Sequence, residues 1–160
     1  KPVDEGSSKG LFLCNNKEEA QEAVKKLAKP IIEDYIVGEE LTVGVLNDEA
    51  LGVLKIIPQA DVLYDYDSKY AKGGSIHEFP AKIENKSYKE AMKIAEKIHS
   101  EFGMKGISRS DFILSEGELY FLEVNSSPGM TKTSLIPDLA TLKGYTFDDV
   151  VRITVETFLK

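Results

Sequence analysis

The chain has 160 residues, of which 42% are hydrophobic and 29% charged, with 27 acidic against 20 basic side chains and a formal net charge of -7. That balance describes a soluble, core-forming chain and argues against broad contact with nucleic acid or an anionic membrane. A single cysteine, Cys14, excludes an intrachain disulfide framework and a cysteine-built zinc site, and no apolar run approaches the ~18 residues of a membrane span. Residues 1–38 read as loop, strand, helix and strand. Because the chain opens on Lys1-Pro2, inside what reads as a working loop and without an initiator methionine, it is expected to be a fragment. Leu11–Cys14 is a short apolar run, and Asn15-Asn16 then cap a helix over about 17–28, where Ala20, Ala23, Val24 and Leu27 fall at helical spacing. Pro30 blocks its continuation, and 31–36 reads as a strand ended by Gly38. Two apolar runs, 41–46 and 51–57, make a hairpin around Asn47-Asp48-Glu49.

Residues 58–80 show neither helical nor strand period and hold Tyr64, Tyr66, Lys69, Tyr70 and Lys72 among acidic side chains. A connection of that length is rarely idle, and this one reads as a lid. The clearest helix, about 86–102, places Tyr88, Ala91, Ala95, Ile98 and Phe102 on one stripe, with Gly103 just past its end. Strands follow at about 106–114 and 118–124, then helices at about 134–142 and 148–159, the second capped by Thr146. Hairpin strands interspersed with helices predict an α+β fold with an antiparallel sheet.

The most informative local pattern is Asp111 with Glu123-Val124-Asn125. Side chains alternate along a strand, so Glu123 and Asn125 share a face. A two-residue Glu116-Gly117 loop would put Asp111 opposite Leu122, on the wrong face. A three-residue Ser115-Glu116-Gly117 loop, with Gly117 supplying the left-handed residue, pairs Asp111 with Phe121 and leaves it diagonal to Glu123 on one face, so whether Asp111 joins the other two depends on the hairpin. Three oxygen donors without cysteine or histidine suit Mg²⁺ retained by substrate phosphates; the plainer alternative is a solvated acidic sheet face. Arg109, two residues before Asp111, shares that face and either holds the carboxylates as an ion pair or stabilises charge on a transferring phosphoryl group.

Other segments carry weaker signals. The turn Glu5–Gly10 frees backbone N–H groups near Ser7 and Ser8 that can cradle phosphate, although an ordinary turn reads as well. The loop Ser126–Thr131 follows the proposed metal strand and precedes a helix near Ser134, so its N–H groups can hold a carboxylate or a tetrahedral oxyanion. Glu33 and Glu40 flank a strand exit where Glu40 can accept ribose hydroxyls. His77 and His99 form no motif, His99 being read at the surface or edge of its helix, and Cys14 is read as core packing.

Taken in order, these segments resemble the ATP-grasp fold, and within it the D-alanine–D-alanine ligase family. The matching segments are K-P-V-D-E-G-S-S-K-G at 1–10, I-E-D-Y-I-V-G-E-E-L-T-V-G-V at 32–45, Y-D-Y-D-S-K-Y at 64–70, S-R-S-D-F at 108–112 and L-E-V-N-S-S-P-G-M-T-K-T-S-L at 122–135. The resemblance implies that Lys1 contacts ATP phosphates and that Ser7 and Ser8 sit in a loop closing over them. Glu33, Tyr35 and Ile36 would line the adenine site, with Glu40 on the ribose and Lys69 on phosphate. Asp111, Glu123 and Asn125 would bind two Mg²⁺ (or Mn²⁺) ions, and Arg109 would act on the transferring phosphoryl group. Tyr70 would close over the second D-alanine, and Gly129, Ser134 and Leu135 would help hold substrate. Residues 1–38 would end the central ATP-grasp subdomain and 39–160 form the C-terminal one.

The implied activity is ATP-dependent joining of two D-alanines through an acyl phosphate for peptidoglycan precursor synthesis, in a bacterial cytoplasm and a homodimeric parent, with the fragment alone inactive. Two alternatives stay open: an ATP-grasp ligase for another carboxylate and amine, or a non-catalytic nucleotide-binding module.

Overall fold

The computed structural model describes residues 1–5, 9–58, 75–131 and 134–159. It divides into two compact units, Lys1–Tyr35 with Pro58–Ile76, and Ile36–Ile57 with His77–Lys160.

In the first unit, helix α1 (Lys17–Lys25) starts where the sequence places it, with Asn16 Oδ1 accepting from the Glu19 amide at 2.8 Å. The strands expected at 11–14 and 31–36 do not form, and an isolated Pro2–Pro30 bridge is the pairing found there among the described residues. A strand is defined by a laddered neighbour rather than by an apolar run, and these runs have none among the described residues. Leu11, Phe12 and Leu13 accordingly stay about 40% exposed, and Cys14 is half-buried rather than in a core.

The second unit is α+β, as the sequence predicts. Strands β1 (Glu39–Leu46), β2 (Glu49–Pro58), β3 (Ser75–Glu78), β4 (Ile107–Ser115) and β5 (Glu118–Asn125) form one sheet in the order β3-β2-β1-β4-β5. The β1/β2, β1/β4 and β4/β5 pairs are antiparallel. Asn47 and Asp48 turn the first hairpin at positive φ, which suits a tight two-residue connection. Residues 75–78, read as part of a lid, are instead an edge strand, because β2 offers them a ladder; residues 59–74 lie outside the described residues.

Helix α2 (Asn85–Glu101) covers one face of the sheet, where Leu41, Val43, Val45, Val53 and Phe112 meet Ala91 and Ala95. It closes on Gly103 at φ +60, with Gly103 N donating to Ser100 O and Met104 N to His99 O, which caps the last turn. The buried stripe is Ser87, Ala91, Ala95 and His99, so the expected stripe is rotated by part of a turn. Phe102 is 71% exposed and His99 is fully buried, the reverse of the surface role read for it. The reason lies on β4, where Ser108 Oγ sits 2.7 Å from His99 Nδ1.

Helices α3 (Leu135–Thr141) and α4 (Phe147–Phe158) follow β5, α3 burying Ile136, Leu139 and Ala140. At Gly44 of β1 a Cβ would lie 2.9 Å from Ile136 Cδ1, so any larger residue would have to push that methyl aside where α3 packs. Thr146 caps α4 through a reciprocal pair with Asp149, as expected. Among the described residues no helix is long and apolar enough to cross a membrane.

Candidate nucleotide and metal site

The hairpin β4–β5 decides whether the predicted ligands meet, and it does so by an unexpected route. Its loop has two residues, Glu116 and Gly117, both at positive φ, with Ser115 opposite Glu118 and Phe112 opposite Phe121. Of the two loop lengths the sequence allows, the two-residue one forms. A bulge between Asp111 and Phe112 then absorbs Leu122 and places Asp111 directly opposite Glu123 and Arg109 directly opposite Asn125. The side chains share a face, as predicted, but as direct cross-strand pairs rather than a diagonal.

Two rows cross strands β1, β4 and β5. One runs Thr42, Asp111, Glu123 and the next runs Gly44, Arg109, Asn125. Arg109 grips Asp111 along its strand, Nη2 donating to Oδ2 at 2.7 Å and Nε to Oδ1 at 2.9 Å, with a longer 3.2 Å contact to Oδ2. Both side chains are more than four-fifths buried. From the neighbouring strand Thr42, fully buried, donates its hydroxyl to Asp111 Oδ1. Glu123 is exposed, and Asn125 Oδ1 accepts the Ser127 amide at 2.9 Å, which starts the loop that follows.

In that loop Pro128 is buried, and Thr131 N donates to Ser134 Oγ at 2.9 Å. A Cβ on Gly129 would lie 2.9 Å from the same hydroxyl, so the backbone approaches Ser134 in a way other residues would disturb. Ser134 precedes α3 as its N-cap residue, Leu135 is the first helical residue, and both are half-buried. Glu40 stands half-buried on β1, two residues before Thr42 and on the same face.

In the first unit Lys1, Glu33 and Tyr35 line a cavity of about 320 Å³ together with Leu11, Leu13 and Val24. Lys1 Nζ pairs with Glu33 there, and Tyr35 is 63% exposed. Ile36, the third expected adenine contact, is half-buried and belongs to the other unit. Ser7, Ser8, Lys69 and Tyr70 lie outside the described residues.

The donor set fits a hard divalent cation. Asp111, Glu123 and Asn125 offer two carboxylates and an amide oxygen within two adjacent rows, with no sulfur or imidazole. Arg109 makes its shorter bonds from Nε to Oδ1 and from Nη2 to Oδ2, leaving only the longer 3.2 Å contact from Nε as a second donor to Oδ2. Among the described residues no cluster of three His, Cys, Asp or Glu exists, which leaves this set dependent on its amide ligand. Sequence reasoning missed Thr42. Its signal was a hydroxyl inside the otherwise apolar 41–46 run, but its partner is visible only once β1 lies beside β4.

A family model described as D-ala D-ala ligase C-terminus matches residues 1–156. The chain belongs to that family. A D-alanine--D-alanine ligase of Fusobacterium nucleatum is 96% identical over all 160 residues, and the chain spans 56% of that relative's length. Among solved structures, a D-alanine--D-alanine ligase from Bacillus anthracis superposes over 99% of this chain and 53% of its own, with a TM-score of 0.84 and 28% identity. The same Bacillus anthracis ligase complexed with ATP covers 79% of this chain and 40% of its own at a TM-score of 0.66 and 25% identity.

Proposed function

We propose that this chain is the ATP- and metal-binding portion of a D-alanine–D-alanine ligase. The observation that carries the reading is the pairing of Asp111 with Glu123 and Arg109 with Asn125 on one sheet face, in a chain of this family. A sheet face that pairs carboxylates and adds a largely buried guanidinium suits phosphoryl transfer, where positioning and charge stabilisation do most of the work.

In this reading Lys1, Ser7, Ser8 and Lys69 hold the ATP phosphates, Glu33, Tyr35 and Ile36 line the adenine, and Glu40 accepts ribose hydroxyls. Asp111, Glu123 and Asn125 hold two Mg²⁺ or Mn²⁺ ions, which neutralise phosphate charge when bound. Arg109, oriented by Asp111, presents its guanidinium to the phosphoryl group as that group leaves ADP for the carboxylate of one D-alanine. The amine of a second D-alanine then attacks the acyl phosphate at carbon, and inorganic phosphate departs. Gly129, Ser134 and Leu135 hold substrate, and Tyr70 excludes water from the hydrolysable acyl phosphate. Residues 1–38 close the central subdomain and 39–160 form the C-terminal one. The product enters peptidoglycan precursor synthesis in a bacterial cytoplasm, and the longer protein is a homodimer that engages neither nucleic acid nor membrane.

Because the chain spans 56% of its 96%-identical relative, it is expected to show no turnover alone. The test is phosphate release from Mg-ATP by the full-length protein, with and without D-alanine, with the dipeptide assayed directly. Release that requires D-alanine and yields dipeptide is expected, and Glu123→Gln should lower it at least a hundredfold. ATP binding without D-alanine-dependent release would overturn the substrate assignment.

A further inference from the structure

We infer that Thr42 is a positioning residue for the metal-facing carboxylate of Asp111, an inference that rests on the metal reading above. Arg109 holds Asp111 from one side only, along the same strand, with both of its donating nitrogens on one edge of the carboxylate. That grip engages both carboxylate oxygens, but it is only as firm as the one long side chain that supplies it. Thr42 supplies a second restraint from another strand, since it is Asp111's direct partner on β1 and its Oγ1 lies 2.5 Å from Oδ1.

Its chemistry suits the task. A β-branched side chain on a strand is stiff at χ1, so the hydroxyl is aimed by the backbone rather than by chance. Thr42 is 0% exposed, so its O–H has no bulk water to turn to. Oδ1 takes the Thr42 hydroxyl and the shorter Arg109 Nε bond, while Oδ2 takes Arg109 Nη2 and the longer 3.2 Å contact from Nε. Glu123 stands directly across from Asp111 on β5. Thr42, Asp111 and Glu123 thus form one row in which a buried neutral donor fixes the plane of the first carboxylate relative to the second.

Outer partners of ligating groups commonly account for 10–100-fold in metal affinity. The experiment is an EPR titration of Mn²⁺ in the presence of ADP on the wild-type protein, Thr42→Val, Thr42→Ser and Glu123→Gln, with the Tm of each recorded. Thr42→Val keeps the branched shape and removes the donor, so Mn²⁺ affinity should fall by about tenfold. Thr42→Ser restores the hydroxyl and should return it to within about threefold of wild type. An affinity for Mn²⁺ unchanged in Thr42→Val, whether or not its Tm falls, would overturn the inference and leave Thr42 a packing residue. No bound Mn²⁺ in the wild type would sink the metal reading itself, and this inference with it. Loss in Glu123→Gln with none in Thr42→Val would uphold the metal site and reject the role of Thr42.

Discussion

Ser110 sits between Arg109 and Asp111 on β4 but faces the opposite side of the sheet, where Phe112 and helix α2 lie. Its side chain is fully buried, and among the described residues its Oγ has no hydrogen-bond partner. A hydroxyl in that position loses its hydration on folding without a replacement bond, a loss of about 1–3 kcal/mol. Ser110→Ala removes the hydroxyl and leaves a void smaller than a methyl group. It should therefore raise unfolding free energy by about 1 kcal/mol in urea denaturation. Mn²⁺ affinity should stay unchanged, because the residue points away from the ligand face. A loss of stability would mean that the hydroxyl is satisfied in solution. The same strand thus carries two kinds of residue in alternation. Arg109 and Asp111 are polar side chains that satisfy each other, and Ser110 is one that nothing visible satisfies.

The β4–β5 hairpin is the element that makes the site, and its turn contains a testable weakness. Glu116 adopts φ +50, a left-handed conformation that costs an ordinary L-residue about 1–2 kcal/mol, while Gly117 follows at φ +83 without that cost. Asn-Gly is the favoured pair for two-residue turns with both φ positive. Glu116→Asn should therefore stabilise the protein by about 0.5–1 kcal/mol in urea denaturation, with phosphate release by the full-length protein unaltered. The same hairpin shows what sequence reading can reach. Glu123 and Asn125 sharing a face follows from alternation alone and holds. The register does not, because the Leu122 bulge has no local signature, and whether a strand carries an extra residue depends on where the ladder with its neighbour resumes. Helices were the opposite case. Asn16, Thr146 and Gly103 mark the ends of α1, α4 and α2 through contacts within a few residues, so caps are legible where pairings are not. The runs at 11–14 and 31–36 failed as strands for the same reason that the bulge was invisible. An apolar segment carries no information about its partner.

Across the molecule, His99 joins three elements that folding must bring together. It lies on α2, its Nδ1 meets Ser108 Oγ of β4 at 2.7 Å, and its Nε2 is 3.6 Å from Asp48 Oδ1 in the β1–β2 turn. Nε2 is buried without a hydrogen-bond partner among the described residues. Burial pushes the imidazole below its ordinary value of 6.5, and the nearby Asp48 carboxylate only partly offsets this. Asp48 is 77% exposed, so water screens its pull, and desolvation of the charged ring prevails. The direction of linkage follows. The unfolded chain takes up a proton on His99 as pH falls through about 6.5, while the folded chain resists it. Above that pH both states hold a neutral ring and His99 costs nothing. Below it the unfolded state binds more protons, so folding stability declines with falling pH until the folded ring titrates in turn. Unfolding free energy measured in urea should thus be flat from pH 8 to 7 and fall from pH 6.5 to 5.5, a window above the range in which carboxylates titrate. His99→Gln keeps a polar side chain near Ser108 but cannot charge, so its stability should be lower at pH 8 yet independent of pH across the same interval. A wild-type curve that stays flat from 6.5 to 5.5 would show that Asp48 compensates fully for burial. A slope that persists in His99→Gln would move the proton uptake to another group and end the assignment to His99.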